Sequence, residues 1–122
     1  MIYIPRKEMP QVDEANLPEL VALAWQYGHQ PAFDVVDAHT LHAHQRVNHA
    51  RALAMPEVVK RKPILVSKDN FVLDGNHRAF VHREERSPAN IIKLGLDFNE
   101  ALDWLFQLPF TYKLTPTTPE RN

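Results

Sequence analysis

The stretch from Pro63 to Glu84, PILVSKDNFVLDGNHRAFVHRE, leaves the backbone few alternatives. Ile64 to Val66 is a continuous apolar run, which predicts a buried strand. Ser67 to Asn70 is turn chemistry, and Asp69-Asn70 suits a tight reversal. Phe71 to Leu73 is the return strand of a β-hairpin, and Asn76 to Arg86 reads as a helix stopped by Ser87-Pro88. Gly75, at the corner between them, is one of only three glycines in 122 residues. A glycine there permits positive φ or a close approach of the backbone to a phosphate.

The elements on either side can be read in the same way. MIYIP is β-prone, with Pro5 confining it to an edge. LPELVALAWQYG predicts a helix with Pro18 in its first turn, Gly28 as its stop, and Leu20, Val21, Leu23, Ala24 and Trp25 on the apolar face. AFDVVDAHTL predicts a short strand leading into a turn. HAHQRVNHARALAM predicts a helix with Val47, Ala50, Leu53 and Ala54 on one face, ended by Pro56. NIIKLGL is a further strand. DFNEALDWLFQL is an amphipathic helix with Asp97 or Asn99 as N-cap and Ala101, Leu102, Leu105 and Phe106 buried. Trp25 and Trp104 lie on apolar helix faces and are expected in the core. The order β-α-β-α-β-β-α-β-α predicts an α+β (mixed α/β) domain, a small mixed sheet with packed helices. Residues 1–110 form that domain, and 111–122, ending TPTTPERN, form a polar tail.

Composition removes several chemistries. With 44% hydrophobic residues the chain can build its own core. The absence of cysteine excludes disulfides, a thiol nucleophile and a zinc-thiolate site. The first residues contain no long apolar run, so neither a signal peptide nor a membrane span is expected, and the cytoplasm is the expected compartment. A net charge of -1 argues against indiscriminate nucleic-acid binding, yet Lys60 to Lys93 holds eight Lys/Arg against four Asp/Glu. Such a basic face suits phosphates, and Lys60-Arg61-Lys62 extends its field. His39, His42, His44 and His49 lie close in sequence without a metal-binding spacing such as HExxH, so solvated or nucleotide-facing histidines are expected rather than zinc ligands.

The corner itself has anion chemistry. A helix N-terminus presents free N–H groups and about half a positive charge. Asn76 is placed to cap the helix, and His77 and Arg78 follow as two donors, the arginine offering a bidentate fork. Asp74 precedes the turn and can hold a Mg²⁺-bound water, orient His77 or cap the turn. The pattern is neither a P-loop nor a dinucleotide fingerprint. A plain strand-to-helix corner with polar residues is the competing reading.

PILVSKDNFVLDGNHRAF resembles the ParB/sulfiredoxin superfamily, whose phage and bacterial ParB-like members carry a closely similar Asp-Gly-x-His-Arg turn after a hairpin. IPRKEMPQVD and VVDAHTLHAHQRVNHARA resemble that family's first strand and nucleotide-facing helix, so the likeness covers about residues 2–96. It implies a nucleotide site in which Gly75, Asn76, His77 and Arg78 bind phosphates of ATP or a related nucleotide, with Mg²⁺ near Asp74. It further implies nucleotide contacts from Gln45, Arg46, Asn48 and His49, a cleft lined by Glu8 and Gln11, and catalytic roles for Glu8 as base, Asp74 and His77. Asn76 stands where sulfiredoxins have cysteine, which excludes sulfinic acid repair. The Glu-Arg-Arg turn and the helix-turn-helix domain of chromosome-partition proteins are lacking, so a stand-alone member is expected. The implied activity is nucleotide-dependent phosphoryl transfer to a hydroxyl of a small molecule, or of a modified DNA base if the chain is phage-encoded. A ParB-like nuclease acting on DNA and a non-catalytic nucleotide-binding switch are the alternatives.

Overall fold

The computed structural model describes residues 8–42, 50, 52 and 54–113. The expected strand at residues 1–5, most of the expected helix before Pro56, and the chain after 113 lie outside these. Helix α1, Leu17–Gln26, begins with Pro18 in its first turn, where the missing N–H costs nothing. It ends in a Schellman arrangement: Gly28 takes φ 77°, its N–H bonds to Trp25 O, and His29 N–H bonds to Ala24 O. Strand β1, Ala32–Asp37, follows and passes into a single 3-10 turn, Ala38–Thr40. A one-turn helix α2, Glu57–Lys60, leads to strands β2, Ile64–Val66, and β3, Val72–Asp74. Helix α3, Asn76–Glu85, strand β4, Pro88–Lys93, and helix α4, Phe98–Phe106, complete the order.

The four strands form one mixed sheet in the order β1-β4-β2-β3. β2 and β3 make the expected antiparallel hairpin, with Asn70 at φ 68° in its turn. β4 runs parallel to β2 and antiparallel to β1. This is the α+β domain that the sequence predicts.

Each sheet face carries its own core. On one face, Leu20 and Ala24 of α1 and Ala101, Trp104 and Leu105 of α4 pack on Leu65, Leu73 and Ile92. On the other, Ala38, Leu41 and Ala79 meet Ile64, Val66, Val72 and Ile91. Every residue of β2 is buried because helices cover it on both sides. Asp97 caps α4 in a capping box, accepting from Glu100 N–H at 2.9 Å while Glu100 Oε1 accepts from Asp97 N–H at 3.3 Å. No helix among the described residues is long and apolar enough to cross a membrane.

Four expectations change. Trp25 is 62% exposed, because α1 buries the i, i+4 pair Leu20 and Ala24 and the next residue points about 100° away. Phe106 is 38% exposed for the same reason, while Trp104 and Leu105 take the buried positions of α4. Leu102 is only half-buried. Pro88 does not merely stop a helix: it opens β4 opposite Asp37, at a strand end where a missing N–H is tolerated. The turn out of α3 falls to Arg86, at φ 53°.

The fold also runs past residue 110. Gln11 and Tyr112 exchange both backbone hydrogen bonds, at 2.8 and 3.1 Å, and Tyr112 Oη donates to Asp13 Oδ1 at 3.0 Å. Residues 111–113 therefore belong to the domain rather than to a tail. The two tryptophans give a direct check by urea denaturation. Trp104→Ala should cost about 3–5 kcal/mol by emptying a core position, and Trp25→Gln within about 0.5 kcal/mol.

Candidate functional site

Asp74 reaches the site through an irregularity in the hairpin. Val66 pairs with Val72, but Leu65 pairs with Asp74, so β3 contains one extra residue. Such a bulge re-aims the side chain that follows it. It puts Asp74 in register with Leu65, in the row that continues to Ile92 on β4. There Asp74 Oδ2 accepts from the Val12 backbone N–H at 3.2 Å, tying the early segment to the end of β3.

Gly75 is the N-cap of α3, at φ 113° and ψ 28°. A side chain at 75 would put its Cβ 2.8 Å from Arg78 Nη2 and 3.2 Å from Cζ and Nε. The glycine is thus required for its backbone angle, and a side chain there would also displace the Arg78 guanidinium that lies over it. Arg78 is 8% exposed, and its Nη2 donates to Pro63 O at 3.3 Å, joining the start of α3 to the start of β2. Asn76 is the first helical residue and makes no capping bond, contrary to the expected cap. It is 4% exposed, and its Oδ1 has no hydrogen-bond partner among the described residues.

Asp74 and Arg78 face a cavity of about 190 Å³. Gln11, Val12 and Glu14 form one wall, and Val59, Lys62 and Pro63 form the wall opposite. Lys62 Nζ lies 3.6 Å from Glu14 Oε2, so one ion pair spans the two walls. The lining thus holds two cations and two carboxylates around a polar hollow.

The residues singled out from sequence separate clearly. Asp74, Arg78 and Gln11 line the cavity, and Gly75 shapes it. His77, 6% exposed, and Asn76 are buried beside it without lining it. Glu8 is exposed and sits 3.5 Å from Lys113, away from the cavity lining. Gln45, Arg46, Asn48 and His49 lie outside the described residues. Lys62 was legible only as part of a basic run, and Glu14 carried no sequence signal, because its role depends on a partner 48 positions away, 62 less 14.

Two neighbours hold the second wall. Lys60 Nζ pairs with Glu57 at 3.1 Å and Glu85 at 2.9 Å, clamping α2 to α3. These carboxylates, Glu85 first, raise the Lys60 pKa above 10.5. Buried His82 bonds Ser87 Oγ through Nδ1 at 2.8 Å and Lys60 O through Nε2 at 2.9 Å. The carbonyl only accepts, so Nε2 carries a proton. Of the histidines grouped by sequence, His39 pairs with Asp37 at 3.0 Å and His42 packs on the Phe71 ring. Among the described residues no three His, Cys, Asp or Glu side chains are grouped to hold a metal. No protein-family model, curated protein or solved structure matches the chain.

Two outcomes test this geometry. Gly75→Ala should destabilise the fold by more than about 1 kcal/mol, and by more than Gly28→Ala, where a Cβ meets nothing within 4 Å. A cycle with Arg78→Ala should be non-additive, since removing the guanidinium relieves the collision. The second outcome concerns Lys60. Its raised pKa contributes stability that is complete below 10.5 and is lost as pH rises through the higher folded value. Lys60→Met should flatten the alkaline limb of the stability–pH curve measured by denaturation.

Proposed function

We propose that the cavity between Arg78, Lys62 and Asp74 is the phosphate end of a nucleotide site, and that the protein is a nucleotide-dependent phosphotransferase of ParB/sulfiredoxin type. The observation that carries this reading is the pairing of two cations with two carboxylates in one hollow at a strand-to-helix corner. Arg78 and Lys62 offer charge-assisted donors to phosphate oxygens. Lys62 is released cheaply, because a half-exposed ion pair such as Lys62–Glu14 is worth only about 0–1 kcal/mol, whereas hydrogen bonds to charged groups contribute about 1.5–3 kcal/mol each. Asp74, fixed at one oxygen by Val12 N–H, keeps Oδ1 to take the proton of an acceptor hydroxyl.

Mg²⁺ fits this donor set in one way. It is commonly held by one or two carboxylates together with substrate phosphates, and Asp74 and Glu14 are the carboxylates present. Bound there it would neutralise phosphate charge. Catalysis by this chain's own groups rests on positioning and charge. Glu8 is not among the cavity-lining residues, and the base assigned here is Asp74, which is. Cleavage of DNA at this corner is the weaker alternative, since Arg78 and His77 expose only 8% and 6% of their surface, little for a duplex backbone to reach.

Calorimetry with ATP and Mg²⁺, followed by phosphorus NMR with a polyol acceptor, tests the reading. Binding is expected, with Lys62→Ala weakening it by about fivefold to tenfold. Arg78→Lys should weaken it more, because the planar fork is lost. Transfer should stop in Asp74→Asn while binding persists. Unchanged affinity in Lys62→Ala, a partly exposed position that tolerates substitution, would place the site elsewhere. Binding with no nucleotide turnover under any acceptor would favour a switch module.

A further inference from the structure

The charged cavity opens at one side. Glu14, Leu17 and Pro63, which border it, also border a second hollow of about 370 Å³ whose remaining lining is Pro18, Val21, Phe33 and Ile92. The two hollows share those three residues and so adjoin along them, as two ends of a trough. Sheet register sets the separation of its ends. Phe33 pairs with Ile92, Ile92 with Leu65, and Leu65 with Asp74, so one row of side chains runs across the sheet from Phe33 to Asp74. Three interstrand spacings make that row about 14 Å long.

The charged cavity is smaller than the roughly 300–1,000 Å³ that a whole small-molecule ligand needs, so it takes a head group only. With the second hollow the trough falls within that range. Its far end has a distinct chemistry. Phe33 is 68% exposed although it pairs with the core residue Ile92, and Pro18 and Pro63 line the same hollow. Apart from Glu14 at the border, no lining side chain there donates or accepts a hydrogen bond. A flat ring is therefore held by its face, and its edges are not read.

We infer that this apolar hollow is the base subsite of the nucleotide site proposed above, that Phe33 supplies the stacking surface, and that the site is indifferent to which base is bound. The inference rests on the phosphate reading but is separable from it. A base stacked on Phe33 directs its sugar and phosphates past Glu14, Leu17 and Pro63 toward Arg78 and Lys62. Stacking is tolerant of base identity because every base has a π-face, whereas discrimination needs hydrogen bonds to the edges.

The test is calorimetric titration with ATP, GTP, CTP, UTP and inorganic triphosphate, on the full chain and on Phe33→Ala. Phe33 is largely exposed, so the variant is expected to fold, and its unfolding midpoint is measured alongside. The four nucleotides should bind within about threefold of one another, and each at least about fivefold tighter than inorganic triphosphate. Phe33→Ala should erase the advantage over triphosphate and leave triphosphate affinity unchanged. If triphosphate binds but nucleotides gain nothing over it, or keep their gain in Phe33→Ala, the base subsite is wrong while the phosphate site stands. A preference for one base above about tenfold would overturn the stacking-only account. If neither triphosphate nor any nucleotide binds, the phosphate reading fails first.

Discussion

The Arg78 guanidinium lies over a residue that has no side chain, and the site's geometry depends on that contact. Gly75 supplies both the left-handed backbone that turns β3 into α3 and the space the guanidinium fills. From there Arg78 reaches Pro63 O and fixes the start of β2 against the start of α3. Asp74, re-aimed by the bulge, takes Val12 N–H and fixes the early segment against the same corner. One strand-to-helix turn thus organises three stretches of chain that are remote in sequence.

The two cations of the cavity are held with unequal strength. Arg78 is buried and tied to a carbonyl, while Lys62 is partly exposed and held by a single weak ion pair to Glu14. On the proposed reading, a phosphate would meet one cation already in place and one that exchanges a protein carboxylate for it. Lys60 and His82 hold α2, behind the second wall, to α3 with bonds outside the cavity.

The hairpin, its turn at Asn70 and helix α3 were legible because local chemistry and period agree there: apolar runs of strand length, Asp-Asn reversal, one glycine. The α+β class followed from element order. Asp74, Gly75 and Arg78 were legible as an anion-friendly turn and Gly75 as a positive-φ position, but the neighbour lying over the glycine, its own helix's arginine, was not. Trp25 and Phe106 misled because an amphipathic stripe is read to within one residue, and one residue is about 100° of helix. Glu14 and Lys62 were invisible as a pair, as are most contacts between segments that meet only after the sheet has formed. His77 and Asn76 look like ligands in sequence order, yet an α-helix turns successive side chains apart, and only Arg78 comes round to the cavity.

The antiparallel bridge between Gln11 and Tyr112 has a kinetic consequence. Gln11 and Val12 form a wall of the cavity, and their place is secured by a residue about a hundred positions further along the chain. Closing so long a loop is entropically slow and comes after local hairpins and helices have formed. The corner at Gly75 can therefore be in place early, while the pocket around it is finished only when both ends of the domain have met. During synthesis the cavity lacks its bridge-held wall until Tyr112 has emerged, so a complete cavity marks the finished domain rather than the turn alone.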